Sequence, residues 1–284
     1  MTRIGRFVGR LGPATVVIVA SLFFVLPLLA MARFSFQNVP MIRLGWSTLG
    51  DGWSGSAIRK AFVDQNFRSA LGLSATLGLG TVVLTLVLLL PTTLWVHLRL
   101  PRARPFVEFL TVLPYVIPPI ALVAGILPLK PHARWFLNSN YSLIPFYAVL
   151  AMPFTFRALD AGIKALDVKT LVDASRSLGA GWGATQRRVL IPNLRTAIIS
   201  SAFLTATVVL GEYTIARVLL KRTLPAFMAE YRGREPQGGM GLALTALVAT
   251  TVLFALLSLL TRKRGQRVDL ASIAVAGPVA ESHP

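Results

Sequence analysis

The chain has 284 residues, of which 54% are hydrophobic and only 14% charged, and its mean hydropathy is +0.66. Soluble domains carry roughly 25% charged residues, so this balance excludes an ordinary water-soluble globule and indicates an integral membrane protein. The net charge of +18 is placed between apolar blocks without interleaved aromatics, which fits membrane-flanking anchors better than a nucleic-acid surface. Cysteine is absent, which excludes disulfides, thiol catalysis and thiolate metal sites, and His97, His132 and His283 lie too far apart for a metal spacing.

Residues 1–11 carry Arg3, Arg6 and Arg10, and an uncharged run follows over 12–32. A cleaved signal peptide competes here, because Ala30-Met31-Ala32 resembles a cleavage site. The run's 21 residues exceed the ~7–15 of a signal core and match the ~20 that span a bilayer, so a retained first helix is expected. Residues 33–69 are turn-rich, with Gly45, Gly50, Asp51, Gly52 and Gly55, and read as a loop holding one short helix near 56–67. Further spans are expected at 70–94, 106–129, 141–157, 196–216 and 240–261. The third holds Pro114, Pro118, Pro119 and Pro128. The carbonyls freed by prolines must be satisfied by neighbours or water, so this span is expected to sit centrally. The tail 262–284 opens with Arg262, Lys263, Arg264 and Arg267 and then reads as disordered.

Six spans place both termini and the 158–195 connection on one side. That side holds seventeen of the 29 Lys and Arg, a modest bias toward the cytoplasm.

The informative stretch is Leu171–Arg195, polar and basic between apolar blocks. Val168, Leu171, Val172, Ser175 and Leu178 recur at three- and four-residue steps and define a narrow apolar helical face. Gly179, Gly181 and Gly183 interrupt that helix. A second turn or two is expected through Gln186, Arg187, Arg188 and Val189, closed by Pro192.

This stretch resembles the EAA loop of the permease subunits of binding-protein-dependent ABC importers. Asp173, Ala174 and Ser175 stand for the opening Glu-Ala-Ala triplet, Gly179 for the glycine, Val189 for the isoleucine, and Ile191-Pro192 for the closing Leu-Pro, all at the family spacing. Gly181 and Gln186 depart from the usual Ser and aromatic. Less specific similarity to spermidine/putrescine-type permeases extends over Ser69–Leu98, Phe106–Leu127 with its Leu-Pro-Tyr-Val-Ile-Pro-Pro, and Pro192–Leu220 with Leu-Gly-Glu-Tyr. The Leu-Gly-Glu-aromatic pattern also recurs in sulfate and molybdate permeases.

The resemblance implies an all-helical type I importer permease with six spans in a bacterial inner membrane and cytoplasmic termini. It also implies two cytoplasmic ATPase subunits, a second permease subunit (identical or paralogous) and an extracytoplasmic solute-binding protein as partners. Asp173 would pair with the ATPase, Gly179 would permit the bend, and Trp182 at the tip would enter the partner. No cofactor is expected on this chain. It lacks a Gly-x-x-x-x-Gly-Lys-Ser/Thr loop and any catalytic constellation, so it is not an enzyme, and ATP and Mg belong to the separate ATPase.

Ser201, Thr205 and Glu212 lie on one face of the fifth span and are expected along the translocation path; interhelical hydrogen bonding is the alternative for the two hydroxyls. Glu108 is the other ionisable residue noted within a span. A polyamine is the first expectation for the cargo, with sulfate/molybdate, iron or thiamine as alternatives. An ion-gradient-driven transporter is the rival class, but it predicts inverted repeats with paired broken helices, and no convincing repeat is present.

Overall fold

The computed structural model describes residues 3–37, 39, 42 and 45–262. Of the tail assigned to 262–284, only Arg262 falls among them; the rest lies outside the described residues. The chain divides into a unit ending at Leu244, which contains every site discussed below, and a second unit from Thr245, described along the last part of the final helix.

The described residues are helical throughout, apart from loops and one isolated bridge between Gln37 and Trp53. A long helix, α1 (Arg3–Phe36), leads through a loop to the short α2 (Ser56–Val63) and then to α3 (Gln65–Arg99), which Asp64 caps by accepting from the Asn66 N–H at 2.8 Å. α4 (Arg104–Val116) and α5 (Pro119–Ile126) follow, then α6 (Arg134–Leu137) and α7 (Leu143–Ala165). The polar connection holds α8 (Val168–Ser177), α9 (Trp182–Thr185) and α10 (Ile191–Asn193), and leads into α11 (Arg195–Gly211). α12 (Thr214–Val218), α13 (Leu224–Arg234) and α14 (Pro236–Arg262) complete the order. Four described helices are long and apolar enough to cross a membrane, or six if each of two bent pairs is one span.

α7 is the hub. From Leu143 to Phe156 none of its positions is exposed, and α3, α4 and α11 pack around it. Association of apolar helices in a bilayer depends on close backbone approach and interhelical hydrogen bonds rather than on the hydrophobic effect, and small residues sit where these helices meet. Ser74, Gly78, Thr81, Thr85 and Thr93 form the buried edge of α3, and the Thr155 and Thr205 hydroxyls meet between α7 and α11 at 2.7 Å. Gly162 lies so close to α11 that an added Cβ would stand 2.2 Å from the Ala197 Cβ. Gly162→Leu is therefore expected to destabilise the α7–α11 seam by about 2–3 kcal/mol or to prevent its assembly. A lowered midpoint of unfolding in detergent, with normal membrane targeting, checks this.

The proline-rich third span differs from its expectation. It is broken between Val116 and Pro119 and bent by 82°, because two successive prolines at 118 and 119 lack the N–H groups a continuous ladder requires. Within this chain it is peripheral rather than central: Thr111 and Val123 are the buried residues of α4 and α5, while Phe106, Phe109, Leu110 and Val116 are exposed. The expected fifth span, 196–216, is helical only to Gly211 and resumes at Thr214, since Glu212 takes an extended backbone.

At the end of the bundle away from the polar connection, α2, α3, α13 and the start of α14 share a small core of Ala61, Ala70, Phe227, Tyr231 and Leu242. There the Gln237 side chain donates to the Gln37 and Val39 carbonyls at 2.9 Å each, tying α14 to the segment that follows α1.

Candidate functional site

The polar connection folds against the bundle rather than hanging free. α8 begins where the Asp167 carboxylate accepts from the Thr170 N–H at 3.3 Å and the Thr170 hydroxyl at 2.6 Å. The Thr170 hydroxyl, with its N–H, holds the Asp167 carboxyl below the usual carboxylate range. Val168 and Val172 then point into a core with Leu94 of α3, Ile163 of α7, and Leu190, Leu194 and Ala197 before and within α11. One short amphipathic helix thus touches the ends of three long ones.

α8 stops in a tight αL turn. Gly179 has φ +82°; its N–H donates to the Arg176 carbonyl at 2.9 Å, and the Ala180 N–H reaches back to the Ser175 carbonyl at 3.1 Å. This is a Schellman ending, in which the left-handed residue closes two orphan carbonyls and glycine avoids the Cβ penalty. Ser175 Oγ and Thr185 Oγ1 lie 2.9 Å apart, both buried, and lock α8 to α9 behind the turn.

The interruption is shorter than the three glycines implied. Gly181 precedes α9 in an extended conformation and Gly183 is inside it. The chain then makes a π-helical turn over Gln186–Leu190, a geometry that recurs at functional sites. Pro192 does not close the segment; it opens α10, and the sharp change of direction, 71°, comes at Leu194.

Of the residues matched to the motif, Asp173 and Ala174 are exposed, Ser175 is buried, Val189 is half-buried, and Ile191 and Pro192 are exposed. Leu178, placed on the apolar face by its spacing, is 89% exposed because the helix ends before it, and Trp182 is 45% exposed beside it. Two large apolar side chains thus stand at the tip of an anchored turn. A groove of about 180 Å³ runs next to them, lined by Leu98, Arg99, Lys169, Val172, Asp173 and Arg176. Such a tip and groove suit insertion into, and capture by, a protein partner.

A second feature at the same end has no counterpart in the motif. Asp160 of α7 is buried and is gripped by two cations and a histidine. Arg104 donates Nε to Oδ1 at 2.6 Å and an Nη to Oδ2 at 2.8 Å. His97 Nε2 lies 2.8 Å from Oδ1 and Lys164 Nζ 3.0 Å from Oδ2. A bidentate guanidinium is a strong partner for a carboxylate; here it joins α4 to α7, and His97 brings in the end of α3. The only local signal in the sequence is the i,i+4 pair Asp160–Lys164.

The residues expected along the path are placed differently from one another. Ser201 is fully buried and donates to the Ile198 carbonyl at 2.9 Å. Thr205 is fully buried in the α7–α11 seam against Thr155, the interhelical arrangement weighed as the alternative. Glu212, 8% exposed, accepts from the Ile215 N–H at 2.9 Å and the Ala216 N–H at 3.4 Å. It caps the start of α12, where two orphan donors and the positive helix end favour a carboxylate. The buried Tyr147 hydroxyl lies beside it.

Among the described residues no group of three or more His, Cys, Asp or Glu could hold a metal ion.

Comparison with known proteins adds to this geometry. The family described as "Binding-protein-dependent transport system inner membrane component" matches residues 90–269, which include the whole of α7–α11. A sulfate transport system permease protein, CysW, of Synechocystis sp. is 27% identical over 228 residues, covering 72% of this chain and 81% of its own length. A chain in the crystal structure of a bacterial ABC transporter involved in the import of the acidic polysaccharide alginate superposes with a TM-score of 0.71 at 16% identity, covering 91% of this chain and 98% of that one. At that identity the likeness speaks for the fold alone.

Proposed function

This chain belongs to the binding-protein-dependent transport system inner membrane components, the permease subunits of ABC importers, and from that premise we propose how it works and what it carries. It is a multi-pass membrane permease and not an enzyme; ATP hydrolysis belongs to a separate subunit, and a solute-binding protein delivers the cargo.

In our reading, two permease subunits, identical or paralogous, enclose one path and rest on two ATPases that hold ATP and Mg. The α8–α10 segment is the contact, facing the cytoplasm together with both termini. One observation carries this: Leu178 and Trp182 stand exposed at the end of a turn whose other face is bolted to α3, α7 and α11. A partner that closes on the tip moves three spans at once. ATP-driven closure would turn the cavity outward, and hydrolysis would return it inward.

For the cargo, the reading supported best is a small oxyanion of the sulfate class. The sulfate permease relative aligns over most of this chain. The carboxylate that would attract a polyamine, Glu212, is occupied in capping α12, and the expected polyamine has no comparable support.

The test is reconstitution of the full complex in proteoliposomes with its binding protein. Vanadate-sensitive uptake of labelled sulfate, together with crosslinking of the ATPase from cysteines placed at Asp173 and Trp182, is the expected result. Uptake abolished only by an uncoupler, or crosslinks that never capture the ATPase, would overturn the coupling reading. Vanadate-sensitive uptake of spermidine without sulfate would overturn the cargo reading.

A further inference from the structure

α4 and α7 are joined by two ion pairs one turn apart, with the charges reversed between them. Arg104 of α4 holds Asp160 of α7, and Glu108 of α4 faces Arg157 of α7. Arg104 and Glu108 are four apart and Arg157 and Asp160 three apart, so each pair of rungs shares one helix face. The two rungs are unlike. The Asp160 carboxylate is buried and saturated by Arg104, His97 and Lys164. The Glu108–Arg157 contact is single and 3.5 Å long, with 67% of the Arg157 side chain and 36% of that of Glu108 open.

Arg157 also marks a change along α7. Every position from Leu143 to Phe156 is buried or half-buried, and Arg157 is the first that is exposed. It lies at the end of the bundle that carries the α8–α10 segment, one turn inside Asp160. An ionisable side chain at this depth faces water or a protein partner rather than hydrocarbon. A long, exposed ion pair contributes little stability, so Arg157 is free to exchange its partner at little cost. A guanidinium in water, loosely held, presents the planar fork that recognises oxyanions.

We propose that Arg157, held in waiting by Glu108, is the contact for an oxyanionic cargo where the path opens toward the coupling loop. This rests on the permease and cargo readings above. In the inward-facing state the anion takes the guanidinium from Glu108, and Glu108 recovers it as the anion leaves. The Asp160 rung, with no free donor pair, keeps the two helices together throughout.

Two experiments on the reconstituted complex separate this proposal from the readings beneath it. Arg157→Gln is expected to lower sulfate uptake about 10- to 100-fold at equal amounts of membrane-inserted complex, the worth of a charged hydrogen bond, and Arg157→Lys to restore part of it. Uptake by Arg157→Gln within twofold of the unsubstituted complex would overturn the proposal. Because the chain has no cysteine, Arg157→Cys gives a single reporter. It is expected to react with an anionic, membrane-impermeant thiol reagent, and more slowly when the transporter is trapped with vanadate. No reaction, or a rate indifferent to vanadate, would place residue 157 against lipid or a static interface and overturn the proposal. If unsubstituted complex carries no sulfate but labelling of the Arg157→Cys variant still slows on trapping, the cargo reading and the oxyanion contact fail together while the water-facing placement of residue 157 stands. If uptake is not ATP-driven at all, the coupling reading fails first.

Discussion

Gly179→Leu is expected to abolish ATP-driven uptake while leaving the protein inserted in the membrane. Gly179 sits at φ +82°, and an L-residue there costs about 1–2 kcal/mol in backbone strain. A Cβ built at this position meets nothing within 4 Å of the same chain, so alanine there adds strain without a clash inside the protein. Gly179→Ala carries the strain with almost no side chain. Gly179→Leu carries both strain and bulk. An uptake deficit that grows from severalfold for alanine to on the order of 100-fold for leucine, a difference of about 2 kcal/mol, would support a partner occupying the space over the turn. Equal deficits would assign the glycine to chain conformation alone, and normal uptake by Gly179→Leu would count against a coupling role. Uptake per inserted complex is the measurement, with ATPase activity beside it to distinguish lost docking from lost folding.

The second large effect is expected at Asp160. Asp160→Asn keeps the shape of the side chain and removes its charge, leaving Arg104, His97 and Lys164 around a neutral amide. Breaking a fully buried ion pair from one side costs about 3–5 kcal/mol. Arg104 and Lys164 are partly exposed here, so solvent takes up some of the loss and about 2–3 kcal/mol is the expected magnitude. For a chain of this size that lowers the unfolding midpoint by roughly 5–10 °C. The loss should be largest for transport, because the same carboxylate joins α3, α4 and α7. A midpoint within a degree or two of the unsubstituted protein would show that the hub is dispensable. Arg104→Gln should reproduce most of the shift if the bidentate pair dominates, and Lys164→Gln much less of it.

What could be read from the chain beforehand follows the range of the interactions. The apolar face of Val168, Val172 and Ser175 is a local periodicity, and it faces the bundle as expected. Gly179 was identifiable because glycine is the residue a left-handed turn favours. Leu178 obeys the same periodicity yet is exposed, since spacing does not register that the helix ends at Ser177. The break at Val116–Pro119 was signalled by its prolines, but its peripheral position was not: which helix takes the centre depends on how small residues of α3, α7 and α11 match across space. The Asp160 hub was out of reach, because its partners His97 and Arg104 are 63 and 56 positions away. Glu212 shows the limit from the other side. Its position in an apolar segment suggested function, while the donors that satisfy it are only three and four residues ahead and become visible once the helix is known to stop at Gly211.

α11 has a sharp corner at Leu194 on one end and an extended residue, Glu212, on the other, and its 17 residues are helical without a break. At 1.5 Å per residue this is a shaft of roughly 25 Å, close to the thickness of the oily layer it crosses. At its far end Glu212 caps α12, and α12 is seated through Ile215 and Ala216 in the core with Leu77, Val123 and Tyr147. Under the coupling reading proposed above, a displacement entering at Leu194 meets an unbroken helix until the joint at Glu212, which is where it would change direction on the opposite side of the bilayer.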